Sequence, residues 1–310
     1  VEIGGQVSKS NTRTVSYTWN NILTYDKYFG DHHINLLAGH EYYAYDYAII
    51  SGARERFVLP GYYEPDAASQ LNSFNGSSVA YNLQSYLGRA EYNYKNRYFL
   101  SGSLRTDGSS RFAPDTRWGT FWSLGGSWKI GEEDFIKNLN IFDQLTVRAS
   151  YGGNDNLGTY FAYQGLYNIV NSLGKGGTIT QRLATQDLKW ETNLNFNLGL
   201  DFSVLNGRVA ASIEYFNRQS KDLLFTMPMA LSTGYNGYDA NVGALQNKGI
   251  DLDIRTTPIR TANFRWNLDL NLSHYKNTIT ELPNNNKEIP SGNKRLQVGG
   301  SIYDFYIPTW

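Results

Sequence analysis

Residues 187–202 read DLKWETNLNFNLGLDF, and from Leu194 the run alternates without a break. Leu194, Phe196, Leu198, Leu200 and Phe202 point one way, and Asn195, Asn197, Gly199 and Asp201 point the other. Successive side chains of a strand leave opposite faces, so this is a strand with one apolar and one polar face. Leu205-Asn206-Gly207-Arg208 reads as a tight turn. A second alternating run follows, with Val209, Ala211, Ile213 and Tyr215 set against Ala210, Ser212 and Glu214. Asn-Gly between two alternating runs is a strong hairpin signal.

The alternation alone allows two architectures. In a soluble sandwich the apolar faces meet inside; in a transmembrane barrel they meet lipid and the polar faces line the lumen. Strand length, loop asymmetry and composition separate the two. The chain has 310 residues and a formal net charge of zero, which argues against a nucleic-acid partner, since that needs a basic surface. It has no cysteine, which excludes disulfides, thiolate metal sites and a cysteine nucleophile. Tyr 24, Phe 15 and Trp 7 make it rich in rings, and Tyr and Trp suit a membrane interface or sugar contacts. No run approaches the roughly 20 apolar residues of a membrane helix, which a β-barrel does not need. The opening VEIGGQVSKS is not a signal peptide.

Strands are expected at 14–27, 33–47, 81–94, 98–106, 118–130, 145–151, 194–204, 209–220, 248–257 and 264–276, with one more around 296–306. Residues 50–79 read as a long irregular stretch, 131–142 as a short helical turn, 152–187 as mainly loop with a strand extension at 160–167, and 221–246 as loop. From the first hairpin on, the connections run short, long, short, medium, medium, long, short, long, short, long; with the medium 107–117 loop assigned to the long side by parity, short ones sit on one rim and longer ones on the other. Outer-membrane barrels show this asymmetry, and a sandwich has no reason for it. Strands of about 10–14 residues also exceed the usual soluble length and match a tilted bilayer crossing. The expected fold is all-β: an antiparallel transmembrane β-barrel, incomplete at about 10–11 strands. The alternative is a soluble β-sandwich, a carbohydrate-binding or structural domain.

Several segments resemble SusC/RagA-type TonB-dependent outer-membrane transporters. They are NRYFLSGSLRTDGSSRF at 96–112, WGTFWS at 118–123, WKI at 128–130, LTVRASYG at 145–152, LKWET at 188–192, NVG at 241–243 and NKGID at 247–251. The matches follow the family's order over residues 15–306. The resemblance implies a 22-strand barrel with a plugged lumen that imports a glycan or peptide across the outer membrane. It would work with a SusD-like surface lipoprotein and the TonB complex, and pairing with a second copy is left open. On this reading residues 1–310 belong to the barrel domain, and signal peptide, TonB box, plug domain and last barrel strands are absent.

Asn195, Asn197, Asp201, Asp251, Asp253, Asn267, Asp269 and Asn271 are expected to line the lumen. Tyr62, Tyr63, Tyr160, Tyr163, Tyr235 and Tyr238 fall in the longer connections, where rings can stack on sugars or anchor a lipoprotein. The other motifs read as structure. Ser109 and Ser110 have no positioned base nearby in sequence, so 107–111 is a turn. His32, His33, His40 and Glu41 lack the geometry of a metal site, and Asp251 and Asp253 share one strand face instead of flanking a scissile bond. Residues 153–156 lack the full calcium-loop spacing, and 174–177 lack a strand–loop–helix setting for phosphate. Neither an enzyme nor a cofactor is expected.

Overall fold

The computed structural model describes residues 4–58, 61–156, 161–235, 237–291 and 293–306. Its strands are β1 (Gln6–Phe29), β2 (His32–Phe57), β3 (Ala68–Tyr94), β4 (Tyr98–Ser109), β5 (Trp118–Trp128), β6 (Phe142–Asn156), β7 (Leu166–Ser172), β8 (Lys175–Arg182), β9 (Glu191–Val204), β10 (Val209–Lys221), β11 (Leu224–Pro228), β12 (Gly237–Asn241), β13 (Ala244–Arg260), β14 (Arg265–Glu281), β15 (Ile289–Ser291) and β16 (Lys294–Leu296). Ten of them form one sheet in the order β1-β2-β3-β4-β5-β6-β9-β10-β13-β14, and the remaining six make three two-stranded ribbons. Sequence neighbours pair throughout, except where the ribbons β7-β8 and β11-β12 interrupt. Among the described residues helix is limited to short turns, including α1 (Asp134–Lys137) between β5 and β6. Among the described residues no helix is long and apolar enough to cross a membrane, which says nothing about crossing by strands.

The chain divides into two compact units, Val1–Asn21 with His40–Gln84, and Ile22–Gly39 with Ser85–Trp310. Within the first, β2 and β3 are closed by Val58 N–H to Ala67 O at 3.0 Å, Tyr81 packs between Tyr43 and Tyr45, and Asn72 donates to Glu55 at 3.1 Å. The irregular stretch expected at 50–79 is corrected here: β2 runs to Phe57 and β3 starts at Ala68, and these strands reach 26 and 27 residues. Gly, Ser and Asn lower strand propensity, but continuous backbone pairing overrides it.

In the second unit the register aligns the apolar faces. Leu145, Phe202, Ala211, Ile254 and Leu270 form one cross-strand row through β6, β9, β10, β13 and β14. Val147, Leu200, Ile213, Leu252 and Leu272 form the next. In a sandwich these rows would be the core. Instead Leu198 is 45% exposed and Leu270 44%, so the sandwich alternative fails and the rows form an apolar belt that needs a nonaqueous partner.

Rings border the belt. Tyr86 stacks on Trp118 at 6.3 Å, and Tyr94, Tyr98 and Trp128 stack in a row at 6.1 and 6.0 Å. Trp118 and Trp128 are the ends of an 11-residue strand. At ~3.3 Å per residue and ~40° tilt, that places the two rings about 25 Å apart in height, the span between the aromatic girdles of an outer-membrane barrel.

The rims are unequal. The β1-β2, β3-β4, β9-β10 and β13-β14 turns are tight, and 129–141 is the medium connection on the same rim. The Asn-Gly hairpin forms as expected, with Asn206 and Gly207 both left-handed at φ 55 and φ 74. On the other rim, the 152–187 and 221–246 loops contain ribbons β7-β8 and β11-β12. The extension at 160–167 is corrected to β7, which starts at Leu166, with position 160 outside the described residues. The strand expected at 296–306 is only the β15-β16 ribbon and a bridge between Lys294 and Phe305.

Candidate functional site: polar strand face and loop roots

The face opposite the belt is polar in register. Thr146, Asp201, Ser212, Asp253 and Asn271 form one cross-strand row, and Arg148, Gly199, Glu214, Asp251 and Ser273 form the next. Every strand residue expected to line a lumen lies on this face. Asn195 donates to Asn154 at 3.1 Å and Asn197 to Ser150 at 3.3 Å. Asp251 accepts from Ser273 at 2.5 Å. Asn267 accepts from Thr257 and from Arg265, both at 3.0 Å. Asp269 pairs across from Arg255.

Arg148 is the hub of this face. Its Nε donates to Asp201 at 2.9 Å, one Nη pairs with Glu214 and the other reaches Ser212 at 3.4 Å. Ser212 closes the ring by donating to Asp201 at 2.6 Å. A planar guanidinium suits such simultaneous contacts. Gly199 makes room for it, since a Cβ there would lie 2.7 Å from the Arg148 Cζ. A concave site beside the ring, of about 400 Å³, is lined by Thr146, Asp201, Ser212, Asp253 and Arg255. The sequence reading assigned no role to Arg148, Ser212 or Glu214. Their place in the alternation was visible, but their meeting depends on three strand registers.

The longer loops are rooted in a small core. Phe112, Ala162, Leu188 and Trp190 are buried together. Phe112 stacks on Trp190 at 4.9 Å and Phe121 meets it edge-on. The Trp190 Nε1 donates to Arg117 O at 3.0 Å. The turn expected at 107–111 is corrected here: β4 continues to Ser109, with Asp107 and Gly108 paired to Gly119 and Trp118, and the buried Ser109 hydroxyl accepts from Arg111 N–H at 3.2 Å where the chain leaves the strand. Arg105 holds both Asp107 oxygens, at 2.8 and 2.9 Å. Asn241, noted in the sequence only within the NVG run, clips two loop ends. Its amide donates to Lys189 O and Asp222 O at 2.8 and 2.9 Å and accepts from Lys189 N–H at 2.8 Å. Glu191 accepts from Leu224 N–H at 2.8 Å.

The tyrosines expected to make contacts are divided between the two units. Tyr62 and Tyr63 are exposed in the first unit, where Tyr63 meets Phe57 edge-on. In the second unit Tyr163 is half-buried beside Phe161 and Gln164. Tyr235 and Tyr238 are half-buried, and Tyr238 pairs across from Met227 in the β11-β12 ribbon. Tyr160 lies outside the described residues.

The histidines have structural partners. His33 stacks on Tyr28 at 3.9 Å and meets Asp26 at 2.9 Å, and His32 meets Tyr92 at 2.7 Å. Among the described residues no cluster of three or more His, Cys, Asp or Glu is grouped for a metal ion.

The family profile described as TonB dependent receptor-like, β-barrel, matches residues 3–309. The chain is 34% identical over 309 aligned residues to the TonB-dependent receptor SusC of Bacteroides thetaiotaomicron, covering 90% of this chain and 31% of that protein. It is 32% identical to the TonB-dependent receptor P26 of Formosa agariphila, covering 90% and 29%. The structure of the RagAB peptide transporter superposes with a TM-score of 0.88 at 25% identity, over 94% of this chain and 33% of that one. The chain thus spans about a third of the relatives it matches, which are named as receptors and transporters.

Proposed function

Because this chain belongs to the TonB-dependent receptor β-barrel family of the outer membrane, we propose that it is a wall segment of a nutrient importer energised through TonB. The belt faces lipid and the opposite face lines the import path. The observation that carries this reading is the register: apolar rows on one face remain exposed, while the other face gathers a linked polar set around Arg148. Asn195, Asn197, Asp201, Asp251, Asp253, Asn267, Asp269 and Asn271 belong to the lumen wall on this reading. The barrel has the 22-strand, plugged form that the SusC/RagA resemblance implies.

The cargo is an oligosaccharide, captured between the longer loops and a SusD-like lipoprotein. Tyr62, Tyr63, Tyr163, Tyr235 and Tyr238 offer rings for either contact. A peptide is the second reading, favoured by the likeness to the RagAB peptide transporter. The test is deletion of the gene for the full-length protein, followed by growth on a panel of oligosaccharides and of peptides. Loss of growth on one glycan class supports the first reading, and loss on peptides alone supports the second. Unchanged growth and uptake on every nutrient contradicts both.

A further inference from the structure

The connection between β5 and β6 carries exposed apolar side chains where a water-facing turn has no need of them. Phe135 is 61% exposed, Leu139 53% and Ile141 56%. The connection is held against the ring row at its own rim. Glu133 Oε1 accepts from Tyr98 Oη at 2.7 Å and from Trp128 Nε1 at 3.1 Å, and Arg97 reaches its other oxygen at 3.4 Å. Tyr and Trp at a membrane boundary keep the ring in the apolar zone and the polar tip at headgroup level. The Glu133 carboxylate therefore marks that level. The chain returns to the sheet at Phe142, which meets Phe202 of the apolar belt edge-on at 6.5 Å. Both ends of the connection are thus fixed at the membrane boundary on the lipid side. Lys137 pairs with Glu132 at 2.7 Å, and Asp134 is exposed to water at the start of α1.

We propose that residues 130–141 form an interfacial foot, in which Phe135, Leu139 and Ile141 seat in the phospholipid leaflet next to the tight-turn rim and Glu133 is the latch that holds them there. The occupant follows from continuity: the foot extends the lipid-facing belt past its ring border. The β9-β10 and β13-β14 turns on this rim present a single exposed apolar side chain each, Leu205 and Phe264, against three in the foot, and the polar tip of the first at Asn206 serves as the contrast. The inference rests on the proposed belt-to-lipid orientation, so its test includes a position that reports on that orientation separately.

The full-length protein is placed in phosphatidylethanolamine–phosphatidylglycerol vesicles, with single nitroxide labels at F135C, L139C, N206C and L270C. This chain contributes no native cysteine; any elsewhere are replaced. Accessibility to oxygen, which partitions into lipid, is compared with that to a water-soluble nickel chelate. The expected result is an oxygen-to-nickel ratio at positions 135 and 139 several-fold above that at 206 and approaching that at 270. In an E133A background the ratio at 135 falls several-fold. A lipid-like 270 with 135 and 139 as aqueous as 206 overturns the foot alone. An aqueous 270 overturns the belt orientation and the foot with it. A 206 as lipid-like as 135 also overturns the foot, because an ordinary turn would then behave the same way. An unchanged ratio in E133A removes the latch.

Discussion

Single residues decide how the polar face is built. Arg148 links two carboxylates and a hydroxyl from neighbouring strands, and the lack of a side chain at Gly199 admits it. Gly199→Val fills that space, so it should displace the guanidinium and lower stability by about 1–3 kcal/mol, as overpacking does. Denaturant unfolding in detergent measures this, and an unchanged midpoint would show that the cluster adds nothing to stability. Glu133, in the connection outside the strands, makes a pH prediction. Its bonds from Tyr98 and then Trp128, with Arg97 nearby, hold its carboxyl below the ordinary 4.5. A lowered folded pKa gives stability that is present above the unfolded pKa and lost as pH falls through the folded one. The stability difference between wild type and Glu133→Gln should therefore be constant near neutrality and shrink below about pH 4.5. A difference that grows on acidification would contradict the assignment. The sequence shows which face each of these residues is on. It does not show that Arg148 meets Glu214, because that needs the β6-β9 and β9-β10 registers together.

At the scale of elements, alternation was the legible signal, and it holds through β4, β5, β6, β9, β10, β13 and β14. Those strands repeat large apolar side chains at alternate positions over part of their length, so periodicity marks them directly. The signal fails at 50–79, where Gly, Ser and Asn replace the apolar set while the strands continue by backbone pairing. It fails again in the loops: β11 and β12 are five residues each, too short for a period to show. The belt itself predicts an asymmetry. Leu270→Arg should destabilise the barrel in phospholipid vesicles by about 2–4 kcal/mol, the cost of a cation on the lipid face near mid-membrane. Asn271→Arg, one residue on and facing the other way, should cost far less. Equal losses in urea unfolding from vesicles would contradict the two-faced sheet. In the loops, Asn241→Ala removes three hydrogen bonds that join 189 and 222 to 241. It should cost about 1–3 kcal/mol locally and show as faster proteolysis within 222–243, with the sheet left protected.

For the molecule as a whole, the belt, ring borders and unequal rims belong together. An apolar face left open would be an aggregation surface in water, and a lipid bilayer is the solvent in which it is satisfied. The same sheet then presents Asn, Asp, Ser and Arg to the opposite side, a wet wall suited to a passage for polar cargo. The candidate site was legible as a face and not as a pocket. Alternation placed Asn195, Asn197 and Asp201 together, whereas the loop tyrosines were chosen only by position in the chain. No period or spacing fixes where a long loop folds back, since loop-root contacts such as Phe112 on Trp190 join residues far apart in sequence. Which face of β9 meets lipid decides the orientation of the whole sheet. The direct measurement is photolabelling of the native full-length protein in bilayers with a diazirine-bearing phospholipid, mapped by tandem mass spectrometry. Adducts are expected at Leu194, Phe196, Leu198, Leu200 and Phe202, and none at Asn195, Asn197 or Asp201. Adducts on both sets, or on the polar set alone, would contradict the belt-to-lipid orientation.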